Sequence, residues 1–317
     1  MPSEIDVLVE VIRAAPGLAA KRDLTLLQGL PVPPDGADAA LVPHGDGWLV
    51  VTGEAIVPAL VADDPAAAGA ACVVANVNDV RAMGGRPLAL VDMLVSPDRG
   101  HAQRVLEGLG WAAGLLGVPV VGGHLTVGEP AALAAACTGV ARRPLRPSAA
   151  RPGDVLLAAF CLEGRYRGGA PYFTSLRDRP AERLRDDGEA LAEVAESGAA
   201  RAARDVSMPG VAGSLLQLLE TAGCGGTLDL DRLPRPDGVP LERWLVTFPS
   251  FGFVLAAVPG REAEAREAFT RRGLACEACG TFDAGDRLQV VLEGRTATAW
   301  DLAAEPLTGL GPAGGAE

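Results

Sequence analysis

Three polar segments interrupt otherwise apolar stretches of this sequence, and each carries groups that can hold a charged ligand. In the first, Asp38 follows a glycine turn at the start of a predicted strand. In the second, Asn76 and Asp79 are three residues apart and therefore share one face of a predicted helix. In the third, a predicted strand ends in Gly122-Gly123-His124, where two glycines let a ligand approach the backbone closely.

Asp79 lies at the end of its predicted helix, where the helix dipole disfavours a negative charge. A bound cation would relieve that cost, and so would water or a basic neighbour. An ordinary surface role for Asp79 also stays open. His124 is equally open, because a polar residue at a strand end is as consistent with the pattern as a ligand is.

Three further patterns have a simple explanation beside the functional one. Lys21 is the sole lysine and could contact phosphates as a point charge, but a solvated lysine on a helix is favoured. Cys276 and Cys279 have the spacing of a metal or redox pair, yet neither a second pair nor a nearby histidine accompanies them. Tyr166 and Tyr172, in a glycine-rich stretch, belong to either a substrate loop or a plain surface loop.

The elements that would position these residues follow from hydrophobic periodicity and from helix caps. In the first half, the sequence predicts helical structure over 5–30, a hairpin of strands at 39–42 and 48–51, a helix over 66–80 capped by Asp64, a strand at 88–91, a helix over 98–116, and strands at 118–121 and 133–141. In the second half, it predicts a strand at 155–160, a helical region over 178–204, a helix over 211–222, strands near 227–230 and 251–258, a helix over 261–272, and a strand near 287–292.

Bulk composition restricts the class of protein. A chain of 317 residues, 49% hydrophobic, is long enough for two domains. The net charge of −12, with no basic run to offset it, argues against a nucleic-acid partner. We expect no membrane segment and no signal peptide, because the longest uncharged run contains proline and glycines and the first residues are acidic. Six scattered cysteines are typical of a reduced compartment, so the cytoplasm is the expected location.

Five segments, taken in order, resemble the motifs of the aminoimidazole-ribonucleotide (AIR) synthase superfamily, which includes selenophosphate synthetase, thiamine-monophosphate kinase and the hydrogenase-maturation carbamoyl dehydratase. The run from Asn78 to Pro87 resembles the superfamily's Ser/Asn-Asp-Ile-Ala-Ala-Met-Gly-Ala-x-Pro. Asp38-Ala39-Ala40 falls at its Gly-Asp-Asp-Ala-Ala, and Gly122-Gly123-His124 at its Gly-Gly-Asp. Arg151-Pro152-Gly153-Asp154 resembles Lys-Pro-Gly-Asp, and the run from Asp205 to Val211 resembles Asp-x-Ser/Thr-x-x-Gly-Leu.

The resemblance implies an α/β (α+β) chain with a two-domain AIR-synthase-like fold. It predicts an N-terminal arm over 1–34, an ATP-binding domain over 35–141, a linker over 142–152, a C-terminal α/β domain over 153–308 and a disordered tail over 309–317. It also implies a homodimer whose N-terminal domains join in a β-barrel, with ATP and Mg²⁺ bound at that junction. A small-molecule substrate would be phosphorylated on an oxygen atom.

Site residues carry over from the resemblance position by position. Asp38 and Asp79 match metal-binding aspartates, and Glu54 stands in the place of a third metal ligand. Asp205 would orient the nucleotide or the substrate. Lys21 lies in an arm that the relatives fold over the nucleotide, so it joins Asp79 and Asp205 as a catalytic candidate. The cofactor-binding candidates are Asn76, Asn78, Asp79, Gly122, Gly123 and His124.

Two departures from the family motifs favour alternative functions for this chain. His124 replaces the aspartate of Gly-Gly-Asp, and Met208-Pro209 leaves no second aspartate after Asp205. The first alternative is therefore a non-catalytic nucleotide-binding or scaffolding partner of another enzyme. A further alternative is a kinase like thiamine-phosphate kinase, which the missing second aspartate disfavours.

Overall fold

The computed structural model describes residues 3–30 and 36–311, and its contacts divide them into two compact units. The motif unit contains Asp38–Pro144 and Arg179–Ala192. The terminal unit contains the described residues of Met1–Ala37, Leu145–Asp178 and Glu193–Glu317. Both units mix helices with a sheet, so the predicted α/β (α+β) class is confirmed.

The helices are, in chain order, α1 (Glu4–Arg13), α2 (Pro16–Lys21), α3 (Pro58–Asp63), α4 (Pro65–Ala82), α5 (Arg99–Leu116), α6 (Ala181–Ser197), α7 (Gly210–Ala222), α8 (Leu241–Leu245) and α9 (Glu262–Thr270). The strands are β1 (Ala40–His44), β2 (Gly47–Ala55), β3 (Arg86–Ser96), β4 (Val120–Val127), β5 (Ala132–Ala141), β6 (Val155–Phe160), β7 (Arg165–Tyr166), β8 (Tyr172–Thr174), β9 (Ala200–Asp205), β10 (Gly225–Asp229), β11 (Phe248–Pro249), β12 (Gly252–Ala257), β13 (Ala275–Asp283), β14 (Arg287–Leu292) and β15 (Arg295–Asp301). Short 3-10 helices cover Arg22–Gly29 and Pro147–Ala149.

The motif unit is built on a five-stranded sheet in the order β1-β2-β5-β3-β4. Only β3 and β4 run parallel, and the other neighbouring strands are antiparallel. Helix α4 packs against β2, β3 and β5, and α5 packs against α4. The sheet therefore has a helix-covered face and an open face.

Helix α4 begins where the sequence predicts, because the Asp64 carboxylate accepts the N–H of Ala67 at 3.1 Å and Pro65 occupies the first turn. Small residues let α4 approach its neighbours closely. A Cβ at Gly69 would overlap the backbone of α5, and a Cβ at Gly108 would overlap the backbone carbonyl of Ala66. Glycine at both positions thus allows the two helices to pack backbone against backbone.

The first half of α6 is anchored in the motif unit by buried arginines. Arg81 stands where the family motif has alanine, and a Cβ at Gly188 would overlap its guanidinium. Burial lowers the pKa of Arg81 to about 10. Beside it, Arg179 and Asp187 form a two-bond ion pair of 2.6 and 2.7 Å, with both side chains buried. These charges are compensated within the unit, as buried charges have to be.

The terminal unit is built on a seven-stranded mixed sheet in the order β15-β14-β10-β13-β6-β12-β9. A separate three-stranded sheet has the order β11-β8-β7. Helix α7 is buried along nearly its whole length, and α1 packs against β15. No helix in the described part of the chain is long and apolar enough to cross a membrane.

The structure differs from the sequence predictions at several elements. The helical region predicted over 178–204 ends at Ser197, and 200–205 form strand β9. Strands β13 and β15 were not predicted. The linker predicted over 142–152 is partly packed, since Leu145 and Pro147 are buried.

The compact units also differ from the predicted division at the chain ends and at α6. The N-terminal residues up to Ala37 group with the terminal unit, whereas 179–192 group with the motif unit. Within the tail predicted over 309–317, the structure describes 309–311, where Leu310 is buried and the N–H of Gly309 donates to Glu220 at 3.1 Å. Residues 312–317 and the proline-rich 31–35 lie outside the described residues.

Candidate functional site

One face of α4 carries Cys72, Asn76 and Asp79, spaced so that they line up along the helix. All three are buried. The Nδ2 of Asn76 donates to the carbonyl of Cys72 at 2.9 Å, while its Oδ1 is buried with no hydrogen-bond partner. A buried amide oxygen without a donor costs free energy, so it marks a place where a ligand can contribute an interaction.

Thr52 of β2 connects two of the predicted metal ligands. Its hydroxyl donates to Oδ2 of Asp79 at 2.7 Å and also lies 3.2 Å from the backbone carbonyl of Asp38. Thr52 and Glu54 are two residues apart on a strand, so both side chains point toward α4. The structure therefore brings Asp79, Glu54 and the backbone at Asp38 to one region of the motif unit.

Strand register adds a carboxylate to that region that sequence reasoning missed. Glu54 on β2 pairs with Ala135 on β5, Ala135 pairs with Asp92 on β3, and Asp92 pairs with Gly123 on β4. Paired residues share a face, so this carboxylate row, Glu54-Ala135-Asp92-Gly123, faces α4. The alanine leaves space between the two acids.

Asp92 is only 7% exposed, and burial raises its pKa. Its charge and that of Glu54 add to the effect of burial in raising the pKa of the Cys72 thiol to about 12. Gly123 is required opposite Asp92, because a Cβ there would overlap the carboxylate. The signal available in the sequence was an aspartate interrupting the apolar run 88–95.

His124 lies apart from this group. It pairs with Met93, which adjoins Asp92 on β3, so its side chain points to the open face of the sheet. The predicted set Gly122, Gly123 and His124 is therefore divided between the two faces, with Gly123 on the helix-covered side. Asn78, also on α4, is buried.

The terminal unit holds the other two predicted catalytic residues. Asp205 is buried at the end of β9, and two residues later the N–H of Ser207 donates to Oγ of Ser214 on α7 at 3.1 Å. Lys21 is the last residue of α2, one turn beyond Gly17 on the same helix face. A Cβ at Gly17 would overlap the carbonyl of Met208, so that face of α2 lies against the loop that follows Asp205.

The donor atoms of the motif unit suit a hard cation. Carboxylate oxygens of Asp79, Asp92 and Glu54 and the unpartnered Oδ1 of Asn76 are all oxygen ligands of the kind that Mg²⁺ prefers. Within residues 3–30 and 36–311, no three His, Cys, Asp or Glu side chains converge closely enough to hold a metal ion by themselves. Mg²⁺ usually keeps several waters and takes one or two carboxylates together with substrate phosphates, so the set fits that mode of binding.

This combination of fold and acidic site agrees with sequence comparison. Residues 36–141 match the family described as AIR synthase related protein, N-terminal domain, and 166–293 match its C-terminal domain. The chain belongs to the AIR synthase related protein family.

Among its relatives, an uncharacterized protein of Synechocystis sp. is 37% identical over 86% of both chains. Phosphoribosylformylglycinamidine synthase subunit PurL of Thermus thermophilus is 28% identical over 87% of this chain, but the match covers only 42% of PurL. Among solved structures, T. maritima PurL complexed with ADP has a TM-score of 0.78 at 21% identity, covering 97% of this chain and 52% of that one. AaThiL complexed with AMPPCP and TMP has a TM-score of 0.64 at 19% identity, covering 84% and 91%.

The raised pKa of Asp92 predicts a pH-dependent effect on stability. When burial raises the folded-state pKa of an acid, the free energy of unfolding falls as the pH rises above the ordinary pKa of 3.8, because the acid ionises more easily in the unfolded chain. The loss is complete once the pH exceeds the folded-state pKa. Asp92→Asn should therefore raise the Tm at neutral pH, and the gain should vanish at a pH below 3.8. Thermal unfolding followed by circular dichroism across this range measures both.

Asp98→Asn is the matched control. Asp98 is exposed, and its pKa is lowered because it accepts the N–H of His101 at 2.8 Å, so its expected effect has the opposite sign. A lower Tm for Asp92→Asn at neutral pH would show that its charge is compensated in the folded protein.

Proposed function

We propose that the chain binds ATP with Mg²⁺ and transfers the terminal phosphoryl group to an oxygen of a small-molecule substrate. The observation that carries the proposal is the acidic region of the motif unit, where Asp79, Asp92 and Glu54 lie on the side of the sheet that faces α4, together with the unpartnered Oδ1 of Asn76. Burying the carboxylates of Asp79 and Asp92 is costly, and a divalent cation with its nucleotide would offset that cost.

In this proposal the residues have distinct roles. Asp79, Asp38 and Glu54 hold Mg²⁺, as the sequence motifs suggest, and Asp92 is a fourth oxygen donor contributed by strand register. Asn76 would offer its unpartnered oxygen to the ion, Asn78 would help to shape the same site, and the Thr52 hydroxyl donates to Asp79. The lack of a side chain at Gly123 leaves room for the Asp92 carboxylate against β4.

Positioning and charge compensation dominate phosphoryl transfer, and the protein itself needs to form few covalent bonds. Mg²⁺, when bound, neutralises charge on the phosphate oxygens. Asp205 and Lys21 are proposed to act on the substrate and the nucleotide phosphates, respectively. Lys21 suits that role as a point charge at the end of a short helix.

Solved structures of similar proteins support nucleotide binding by this chain, but they do not identify its substrate. PurL of T. maritima has been solved with ADP, and AaThiL has been solved with AMPPCP and TMP. Because the chain spans less than half of the Thermus thermophilus PurL, the activity of PurL is not transferred to it. The proposed setting is the cytoplasm, where the six buried cysteine thiols would stay reduced.

A non-catalytic nucleotide-binding partner remains the second candidate. The substitution at His124 favours it, because the open face beside Met93 then carries an imidazole where the family motif has a carboxylate. Mg²⁺-dependent ATP turnover that Asp79→Asn abolishes would rule this candidate out.

We also propose a homodimer formed through the open face of the five-stranded sheet. That face exposes apolar side chains on three strands, namely Val42, Val91, Met93 and Val140, with His124 beside Met93. Exposed apolar patches of this kind mark protein interfaces.

Binding of ATP is tested by calorimetric titration with and without Mg²⁺. Wild-type protein should bind ATP only when Mg²⁺ is present, and Asp79→Asn should weaken that binding more than about tenfold, as loss of groups around a metal does. Asp46→Asn, which changes an exposed turn aspartate, is the control and should leave the affinity unchanged. Absence of binding by the wild type, or equal binding by Asp79→Asn, would contradict the proposal.

Dimer formation is tested by light scattering during gel filtration. Wild type should elute at twice the chain mass of 32.4 kDa, and Met93→Glu should shift it toward the monomer because a charge would be buried in the interface. Leu106→Glu is the control, since Leu106 is similarly exposed but lies on α5. A monomeric wild type, or an equal effect of both variants, would oppose the proposed interface.

A further inference from the structure

The open face of the five-stranded sheet carries almost no charge. Strand register and the alternation of side chains assign to it every second residue of the segments 40–44, 49–55, 89–95, 122–126 and 134–140, counted from the first residue of the first three and of the last two. None of these described residues is Asp, Glu, Lys or Arg, although 21% of the chain is charged. The face is therefore far less charged than the chain as a whole.

A sheet face that stays in contact with water usually carries polar and charged side chains. Here alanines and aliphatic residues predominate, and Val42, Met93 and Val140 are exposed. Arg86 lies at the margin, at the start of β3, and its Nε pairs with Glu189 at 2.7 Å. In a two-fold contact each patch meets an identical patch, so a face without charge does not repel its own copy.

Two histidines provide the ionisable groups among the described residues of these strand segments, and each lies on an edge strand. His44 is the last residue of β1, and His124 lies on β4. Both are exposed. The third histidine of the chain, His101, is buried on α5. The open face thus has a means of gaining charge at each of its two edges.

The neighbours of the two imidazoles on this face are mostly neutral. His124 pairs with Met93 on β3, whereas the adjoining Asp92 points to the helix-covered face. His44 is followed by the exposed turn that contains Asp46, which is the charged group near this histidine along the chain. A positive charge on His124 would accordingly meet apolar neighbours, and one on His44 would have a single surface carboxylate nearby.

We propose that His44 and His124 make the association of two copies through the open face depend on pH. While both imidazoles are neutral, the strands of the face carry no charge and pack against those of the second copy. Protonation places positive charge on a surface that association removes from water, and two-fold symmetry repeats this charge on the other copy. Histidine is the side chain whose charge ordinarily changes between pH 5 and 8. The inference rests on the proposed homodimer.

Proton linkage gives the direction and the size of the effect. Association of a protonated face has to release protons, so the Kd of the dimer rises as the pH falls. Each histidine that must lose its proton raises this Kd roughly tenfold between about pH 7.5 and about pH 5.5. Because each copy contributes two, the wild-type Kd should rise at least about 100-fold. Most carboxylates stay ionised over this range and add little.

Sedimentation velocity of the full chain over a range of concentrations measures this Kd at both pH values, with circular dichroism to show that the protein stays folded. Replacing both histidines by glutamine should leave the dimer equally stable at the two pH values. Replacing both by lysine, which keeps its charge throughout, should give a monomer at either pH. Asp46→Asn is the control: it removes an ionisable group beside the face, and the wild-type pH dependence should remain.

The outcomes separate the inference from the proposed homodimer. A wild-type Kd that does not change with pH would overturn the inference and leave the homodimer in place. The same holds for a glutamine variant that dissociates at about pH 5.5 as the wild type does, or for a lysine variant that stays dimeric. A wild type that is monomeric at both pH values would remove the homodimer and the inference together.

Discussion

A carboxylate buried on an apolar helix has to be compensated, and the motif unit is organised around that requirement for Asp79. The hydroxyl of Thr52 supplies one hydrogen bond at 2.7 Å, which fixes how α4 sits on β2. The same hydroxyl lies near the backbone carbonyl of Asp38, and the spacing along α4 puts the unpartnered oxygen of Asn76 on the same helix face as Asp79. Elsewhere in the unit, small residues bring α4 and α5 close, and Arg81 and the Arg179–Asp187 pair hold α6.

Local signals in the sequence were enough to predict the helix and the hairpin that carry most of the site residues. The Asp64 cap, Pro65 and the small-residue run specified α4, and the turn near Gly45 specified the β1–β2 hairpin. The motif around Asp79 added the family, which the comparisons confirm. These features depend only on neighbours in the chain.

The features that were missed depend on long-range pairing. Asp92 reads as one residue in an apolar strand, and only the register from β2 to β4 shows that it faces α4 beside Glu54. The same register places the side chain of His124 on the open face of the sheet, and the Gly-Gly-His motif alone did not indicate this. The error over 200–204 has a similar cause, since alanines and arginines favour a helix locally, whereas pairing with β12 makes this segment a strand.

Family membership and the proposed site rest on different observations. Membership rests on both domain matches and on a relative 37% identical along most of its length. The site rests on geometry specific to this chain: a row of two acids around an alanine, an unpartnered amide oxygen, and a glycine where a side chain would displace Asp92. A fold shared with PurL and ThiL supports many chemistries, so these residues decide the function.

The most direct test of the central claim is a crystal structure of the protein with Mn²⁺ and a non-hydrolysable ATP analogue, using the anomalous signal of manganese to locate the ion. The account predicts a peak on the helix-covered face of the motif unit, with oxygens of Asp79 and Asp92 within about 2.6 Å of it. A peak on the open face beside His124, or an analogue bound without any ion near Asp79, would contradict it.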